Sequence, residues 1–567
     1  MKEEVPPLRF DVAVVGGGLA GLCAAVAAAR HGAKTAIIQD RSMFGGNASS
    51  EIRMWVCGAL GGNCKETGLL EELQLNNLYR NPMLKYSRWD GVMYDFARSE
   101  KNLSVFLNTA IDGCTARDAR IVEITGRNLI EYKRYRFAAE IFVDCSGDGI
   151  LRSSGAAARR GRESRAEFGE SLAEETADEL TQGSSIIMQL RKTSLPHREF
   201  RPPEWAYRFT DETVPKRNLM PEGNNFWWLD FGGIMDTLGD ASQIRDELLK
   251  IAYGVWAYIK NHPDGRGHAW ELDWIGSLPG RRESWRFEGE HILTQRDIES
   301  GGKFPDVVAH GGWGLGCHDP KGFYNRESPG VGHPAPSPFG IPLRALYSRN
   351  IRNLFFAGRQ ISTTHVAQNA TRVMGTCAVM GQAVGTAAAL AVRYGIAADE
   401  VRTRHLEELQ KLLLDDDQFL PGILREPSPL ARQGTPSSPL LCDGMDRDWQ
   451  DGVHAVALMP EEGCGCRFPE PVPLRGARIV FDSDLNDPKR QLCVAEEKFR
   501  EMPPMLCRDF KIRIHTETGW VTVAEELDNH HRLRKVFWPA VRGDELRLIP
   551  ERSWGEGSIR IFALDPL

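Results

Sequence analysis

The stretch DVAVVGGGLAGLCAAVAAARHGAKTAIIQD, residues 11–40, holds an apolar strand, a glycine turn, an Ala-rich helix and a second strand at Thr35–Ile38. That succession is a β-α-β unit. Gly16, Gly18 and Gly21 take the three glycine places of G-x-G-x-x-G. There the chain needs a tight turn, a backbone bare enough to meet a pyrophosphate, and close helix-to-strand packing. Phosphates would sit on the helix N-terminus at Leu19 and Ala20, whose free N–H groups and partial positive charge favour anions. The acid expected to end the second strand is replaced by Gln39, whose amide oxygen can still accept from a ribose hydroxyl. Asp40 is the second ribose ligand, with Arg41 beside it. The unit predicts dinucleotide binding.

Further motifs lie outward from it. DRSMFGGNASSE follows the second strand directly and carries Gly45, Gly46, Asn47 and Ser49. AAEIFVDCSGDG (138–149) is a strand ending in Gly147 and Asp148, and NLFFAGRQIS (353–362) is a strand ending in Gly358 and Arg359. GSLPGRRESWRFEGEHILTQRD (276–297), FPDVVAHGGWGLGCHDP (304–320) and THVAQNATRVMGTCAVMGQAVGTAAALA (364–391) complete the set. Together these segments resemble the bacterial FAD-dependent oxidoreductases, whose nucleotide domain is of the glutathione reductase type and similar to fumarate reductase and succinate dehydrogenase flavoproteins. The resemblance covers about residues 8 to 395. It implies a Rossmann-like α/β FAD/NAD(P)-binding domain with an inserted α+β substrate domain. It also implies FAD as cofactor, held by the glycines and polar residues named above together with Ile111 and Gly375. The His to which succinate dehydrogenase relatives attach flavin has no counterpart in residues 47–63, so non-covalent FAD is expected.

The FAD domain is expected over 1–160 and 340–400, interrupted by the substrate domain at 161–339. That insertion holds an amphipathic helix from about Ala241 to Lys260 and seven tryptophans that either stack on sugar rings or fill a core. A helix and a linker or irregular wrap follow over 401–450. From 451 to 567 short alternating runs divided by turn residues, such as FKIRIHTE and SIRIFAL, read as a β-sandwich that buries its own core. It resembles a discoidin or galactose-binding-like module, serving either sugar binding or packing and self-association.

The chain has 567 residues, 42% of them hydrophobic, and a formal net charge of −7. No basic run would track nucleic-acid phosphates, and no stretch approaches the roughly 18 consecutive apolar residues of a membrane span. The expected partners are therefore a small-molecule substrate and a separate electron acceptor, with no nucleic acid and no membrane. The opening MKEEVPPLRF passes from charged residues directly into a strand, which predicts a cytoplasmic protein. Twelve scattered cysteines, Cys493 among them, form no CxxC framework and read as buried thiols; Cys464 and Cys466, the one close pair, read as part of a Gly-rich loop, and no metal site is expected.

Flavin accepts hydride while protein groups take the accompanying proton and stabilise the charge. Arg372, at the start of an expected flavin-facing helix, either faces the flavin or pairs in a domain contact. His318 and His365 are the leading acid–base candidates, ahead of His310 and His333. Arg282 either holds an anionic substrate or ties the insertion to the sheet. Three functions remain in view: oxidation of a carbohydrate, polyol or related hydroxy compound; reduction of an unsaturated acid clamped by Arg282 and Arg372; or a binding protein with structural FAD.

Overall fold

The computed structural model describes residues 6–450, 452–487 and 499–567, so Cys493 and the first five residues lie outside it. The opening unit forms as β1 (Leu8–Val15), α1 (Leu19–Arg30) and β2 (Thr35–Ile38). Helices α2 (Leu69–Arg80) and α3 (Tyr86–Arg98) come next, followed by strands β3 (Leu103–Phe106), β4 (Thr109–Arg117), β5 (Arg120–Asn128) and β6 (Arg134–Asp144). Strand order is β3-β2-β1-β6-β5-β4, and strand Leu354–Phe356 returns late in the chain to pair with β6. The β1, β2, β3 and β6 pairings and that return are parallel, with Val14 opposite both Ile37 and Val143. All four residues of β2 are buried, as expected of a strand covered on both faces.

Helix Met374–Tyr394 lies against α1. A Cβ at Gly381 or Gly385 would overlap the carbonyls of Ala20 and Ala24, so only glycine allows this approach. The helix is long and apolar enough to cross a membrane, but 94% of its apolar window is buried inside the fold. Its hydropathy is that of a core helix.

The insertion has a separate core, with Ile186, Met188, Phe226 and Trp228 packed on Leu248, Val255 and Trp256 of helix Ala241–Lys260. Leu293, Val307–Ala309, Phe339 and Ile341 belong instead to the core of the nucleotide domain. Apart from Phe323, which joins the insertion's core, the buried hydrophobic residues of the later third of segment 161–339 therefore pack with the sheet domain.

After helix Ala398–Asp415 the chain runs irregularly to 450, and it is a wrap: Leu420 enters the nucleotide-domain core and Leu441 that of the C-terminal module. This module is a β-sandwich whose antiparallel strands run Val456–Leu458, Ile559–Pro566, Cys464–Phe481, Leu533–Ser553, Cys507–Thr516, Gly519–Glu526 in spatial order. Irregularities after Arg467 and Leu474 break the register of the long pair, where extra residues bend a strand. Cys464 and Cys466 are not in a loop. They open the strand Cys464–Phe481, opposite Leu548 and Leu546, and fill the sandwich core.

The module does not bury its core alone. Leu75 and Leu78 of α2 are members of that core. An ionic seam joins it to the nucleotide domain: Arg532 Nε lies 2.9 Å from Asp417 Oδ2, Arg478 Nη2 is 2.9 Å from Asp446 Oδ2 and 3.0 Å from the Leu414 carbonyl, and Ser483 Oγ donates to Glu71 at 2.6 Å. Sequence periodicity shows where strands lie but not that a neighbouring domain supplies part of their core.

Candidate active site

A cavity of about 950 Å³ opens at the carboxyl ends of β1, β2 and β6. Its first wall is the glycine turn. Gly16 has φ +100°, and its Cα lies so close to Cys145 that any Cβ would overlap the backbone. A Cβ at Gly21 would overlap the Gly16 carbonyl, so Gly21 packs beneath the turn and does not line the cavity. Gly18 differs: a Cβ there would meet nothing within 4 Å and would point into open space. No side chain caps α1 at Gly18, leaving its first N–H groups to the cavity edge that Leu19 and Ala20 line.

The second glycine motif is tied to the first by the Gly45 N–H, which donates to the Gly17 carbonyl at 2.8 Å. Gly45, Gly46, Asn47 and Ser49 line the cavity, and Ser49 Oγ is buried with no partner among the described residues. Ile111 lines it from β4, and Gly147, Asp148, Gly358 and Arg359 from the two strand ends. Asp148 accepts from Arg359 Nη2 at 2.8 Å, pairs with Arg281 and accepts from Ser284 at 2.8 Å. Burial opposes its charge, but Arg359 and Arg281 hold its carboxyl below the usual range. Two guanidiniums against one carboxylate leave this corner positive.

Gln39 is the first correction. Its amide oxygen accepts the Gly17 N–H at 2.7 Å and its amide nitrogen donates to the Met43 carbonyl at 3.2 Å. Gln39 lines the cavity, but its side chain braces the glycine loop, and the carboxylate offered to a ribose is Asp40, half exposed with Arg41 at 3.5 Å. Gly375 is the second: its N–H donates to the Cys57 carbonyl, its Cα faces Glu66, and it is not on the cavity wall. An uncapped helix end, a positive corner, an exposed carboxylate and a hydroxyl without a partner among the described residues, all along one cavity, fit FAD. Gly18→Val should accordingly fold yet purify colourless, because the branched side chain enters the space a pyrophosphate needs; full FAD occupancy in its visible spectrum would place the phosphates elsewhere.

The opposite end carries the candidate chemistry. Arg282 is buried, donates to the Gly183 carbonyl at 3.0 Å, Ser185 Oγ at 2.6 Å and the Trp227 carbonyl at 2.9 Å, and stands 3.5 Å from Asp230. Arg372 lines the same end; its Nε has no partner, and among the described residues its guanidinium forms no ion pair. Burial and the neighbouring Arg282 push it down to about 10. A half-buried cation left unpaired on a cavity wall is costly unless a ligand's negative charge meets it.

His318 Nδ1 lies 2.9 Å from Asp230 Oδ2. Burial, then Arg282 and Arg372, keep the imidazole well below its usual value and so neutral. Burial pushes the Asp230 carboxyl up to about 7 against the pull of Arg282 and Arg217.

His365 is the third correction, because it does not reach the cavity. It is buried behind Cys317, with Nδ1 3.0 Å from Glu283 Oε1 and Nε2 3.3 Å from Cys317 Sγ. Burial disfavours its charge, but Glu283 and Cys317 outweigh that and raise it to about 10. Of the other candidates, His333 lines the cavity, whereas His310 is sealed between the Cys64 and Phe419 carbonyls and pushed down to about 3 by burial. The tryptophans divide too: Trp227 and Trp313 line the cavity, as does Trp55, while Trp228 and Trp256 fill the insertion's core. Sequence reasoning missed Asp230, Glu283 and Cys317. Cys317 and Glu283 adjoin predicted residues, in GCHDP and GRRES, but Asp230 has no local signal.

No curated protein matches the chain. Among solved structures, Escherichia coli quinol fumarate reductase is 13% identical over 72% of this chain and 75% of its own, with a TM-score of 0.30. A geranylgeranyl bacteriochlorophyll reductase-like protein from Thermoplasma acidophilum is 12% identical over 72% and 84%, with a TM-score of 0.31. The family 32 carbohydrate-binding module of Streptococcus pneumoniae EndoD is 11% identical, covering 24% of this chain and 94% of its own, with a TM-score of 0.19. The family model for FAD dependent oxidoreductase matches residues 11–413, which takes in both glycine motifs, the strand ends at Gly147 and Gly358, and the whole insertion. The chain belongs to the FAD dependent oxidoreductase family, and it is an FAD-dependent enzyme.

Proposed function

We propose that the enzyme oxidises a small hydroxy compound, of the sugar or polyol class, at the Arg282–His318 end of the cavity. The observation that carries this reading is the His318–Asp230 pair, a neutral imidazole on the cavity wall backed by a carboxyl near neutrality. Bound FAD supplies the two-electron acceptor. His318 Nε2, which has no protein partner among the described residues, takes the hydroxyl proton while the Nδ1 proton passes toward Asp230. Because Asp230 itself sits at about 7, the pair gains a proton without holding a buried imidazolium. Arg282 and Arg372 stabilise the negative charge that develops on the substrate oxygen. The indoles of Trp227, Trp313 and Trp55 provide apolar walls suited to sugar-ring faces.

FAD would be held non-covalently by the glycine loops, with Asp40 at its ribose and Arg372 as its countercharge. The eleven described cysteines are free thiols, which supports a reducing, cytoplasmic setting. A second reading, reduction of an unsaturated acid, draws on the unpaired Arg372, which suits a carboxylate equally well. Anaerobic mixing with sugar, polyol and organic-acid panels separates the two: bleaching of oxidised flavin by a hydroxy compound supports oxidation, and reoxidation of reduced flavin by an unsaturated acid supports the reverse. Arg372→Met should lower the reduction potential of the bound flavin, since a half-buried positive charge favours the electron-rich state. An unchanged potential would leave Arg372 to the substrate alone.

A further inference from the structure

Cys317, His365 and Glu283 are not used by that reading, yet they form a connected set at the same cavity. Cys317 lines the wall, its Sγ is 3.3 Å from His365 Nε2, and His365 Nδ1 is 3.0 Å from Glu283 Oε1. Glu283 is fully buried, pairs with Arg286 and accepts the Gln182 N–H at 2.9 Å. A nucleophile within reach of a base that a third group orients is the arrangement of covalent catalysis. Glu163, Glu170 and Asp178 surround His365 together with Glu283, and Arg162 and Arg372 place positive charge near the sulfur. Among the described residues the other cavity cysteines have no imidazole partner, and burial pushes the Cys57 thiol up to about 11 and that of Cys377 to about 12.

We propose that Cys317 is a nucleophile that captures an aldehyde in this cavity as a hemithioacetal, with His365 carrying the proton and Glu283 positioning His365. The aldehyde rests on the hydride reading above, because oxidation of a primary alcohol leaves one beside Cys317. Sγ bonds to the carbonyl carbon, the carbonyl π bond opens, and the proton shared by Sγ and His365 Nε2 passes to the new oxygen. No electrons are gained or lost, and reversal frees the aldehyde.

Two measurements on the FAD-loaded enzyme test the proposal. Iodoacetamide at about pH 6.5 should alkylate Cys317 at least about tenfold faster than Cys57, read by peptide mass mapping, and His365→Gln should abolish the difference. Equal rates in the unaltered enzyme would overturn it. Glycolaldehyde labelled with carbon-13 at its carbonyl should give a new tetrahedral-carbon resonance that is lost in Cys317→Ser and kept in Cys57→Ser; absence of that resonance in the unaltered enzyme would also overturn it. Flavin bleaching tests the hydride reading separately. His318→Gln should lose bleaching by a hydroxy compound and keep the adduct, whereas an adduct in an unaltered enzyme that no hydroxy compound bleaches would support the capture and overturn only the hydride reading.

Discussion

His318→Gln should slow substrate-driven flavin reduction by about 10²–10⁴-fold, the usual contribution of a positioned general base. The glutamine can hold a hydrogen bond in the same place but has no pKa near neutrality, so the acid limb of the pH–rate profile should flatten. The sign follows from Asp230. Its carboxyl is raised to about 7, so the unaltered pair accepts a proton above that pH and loses the capacity as pH falls through it. Asp230→Asn should therefore remove the same limb even though Asp230 lies behind His318. FAD binding should change little in either variant, because the phosphate-binding turn lies at the far end of the cavity. A loss smaller than about tenfold in both would make the pair structural and leave His333 as the cavity histidine for proton transfer.

The second large effect concerns the C-terminal module. Deleting the chain beyond residue 450 should give insoluble protein without FAD rather than a smaller yellow enzyme. Truncation would expose Leu75 and Leu78 of α2 and leave Asp417 and Glu71 without the module's Arg532 and Ser483. In the full chain, Arg532→Met isolates the electrostatic part. It leaves the buried Asp417 carboxylate without its cation, and breaking one side of a buried ion pair typically costs about 3–5 kcal/mol. Replacing both partners, Arg532→Met with Asp417→Leu, should recover much of that loss, since no unpaired buried charge then remains. Thermal unfolding followed by flavin fluorescence reads both variants. Truncated protein that stays soluble and yellow would show the seam to be dispensable.

These two predictions rest on contacts of different legibility. The insertion's amphipathic helix, Ala241–Lys260, was readable because its apolar spacing is a local property. So was His318 as a candidate, from its Gly-rich surroundings. Its partner Asp230 was not: it lies 88 positions earlier in an aromatic run with no pattern of its own. Gln39 shows the opposite error. Its position at the strand end matched a ribose ligand, but the same position faces the Gly17 N–H, and the backbone took the amide oxygen.

What the sequence by itself determined is the nucleotide-binding frame: the β-α-β unit, the glycine turn, the strands that run into Asp148 and Arg359, and strands in the last hundred residues, with FAD following from the family resemblance of these motifs together. Each depends on spacing within a few tens of residues, where backbone geometry alone decides which residue types fit. Tertiary structure decided the rest. It brought Cys317 to His365 across 48 positions and His365 to Glu283 across 82, hid His365 and His310 from the cavity, and lent α2 to the sandwich core. Those contacts arise where separate hydrophobic cores close on one another, and the side chains that meet there are set by packing in three dimensions rather than by any periodicity along the chain.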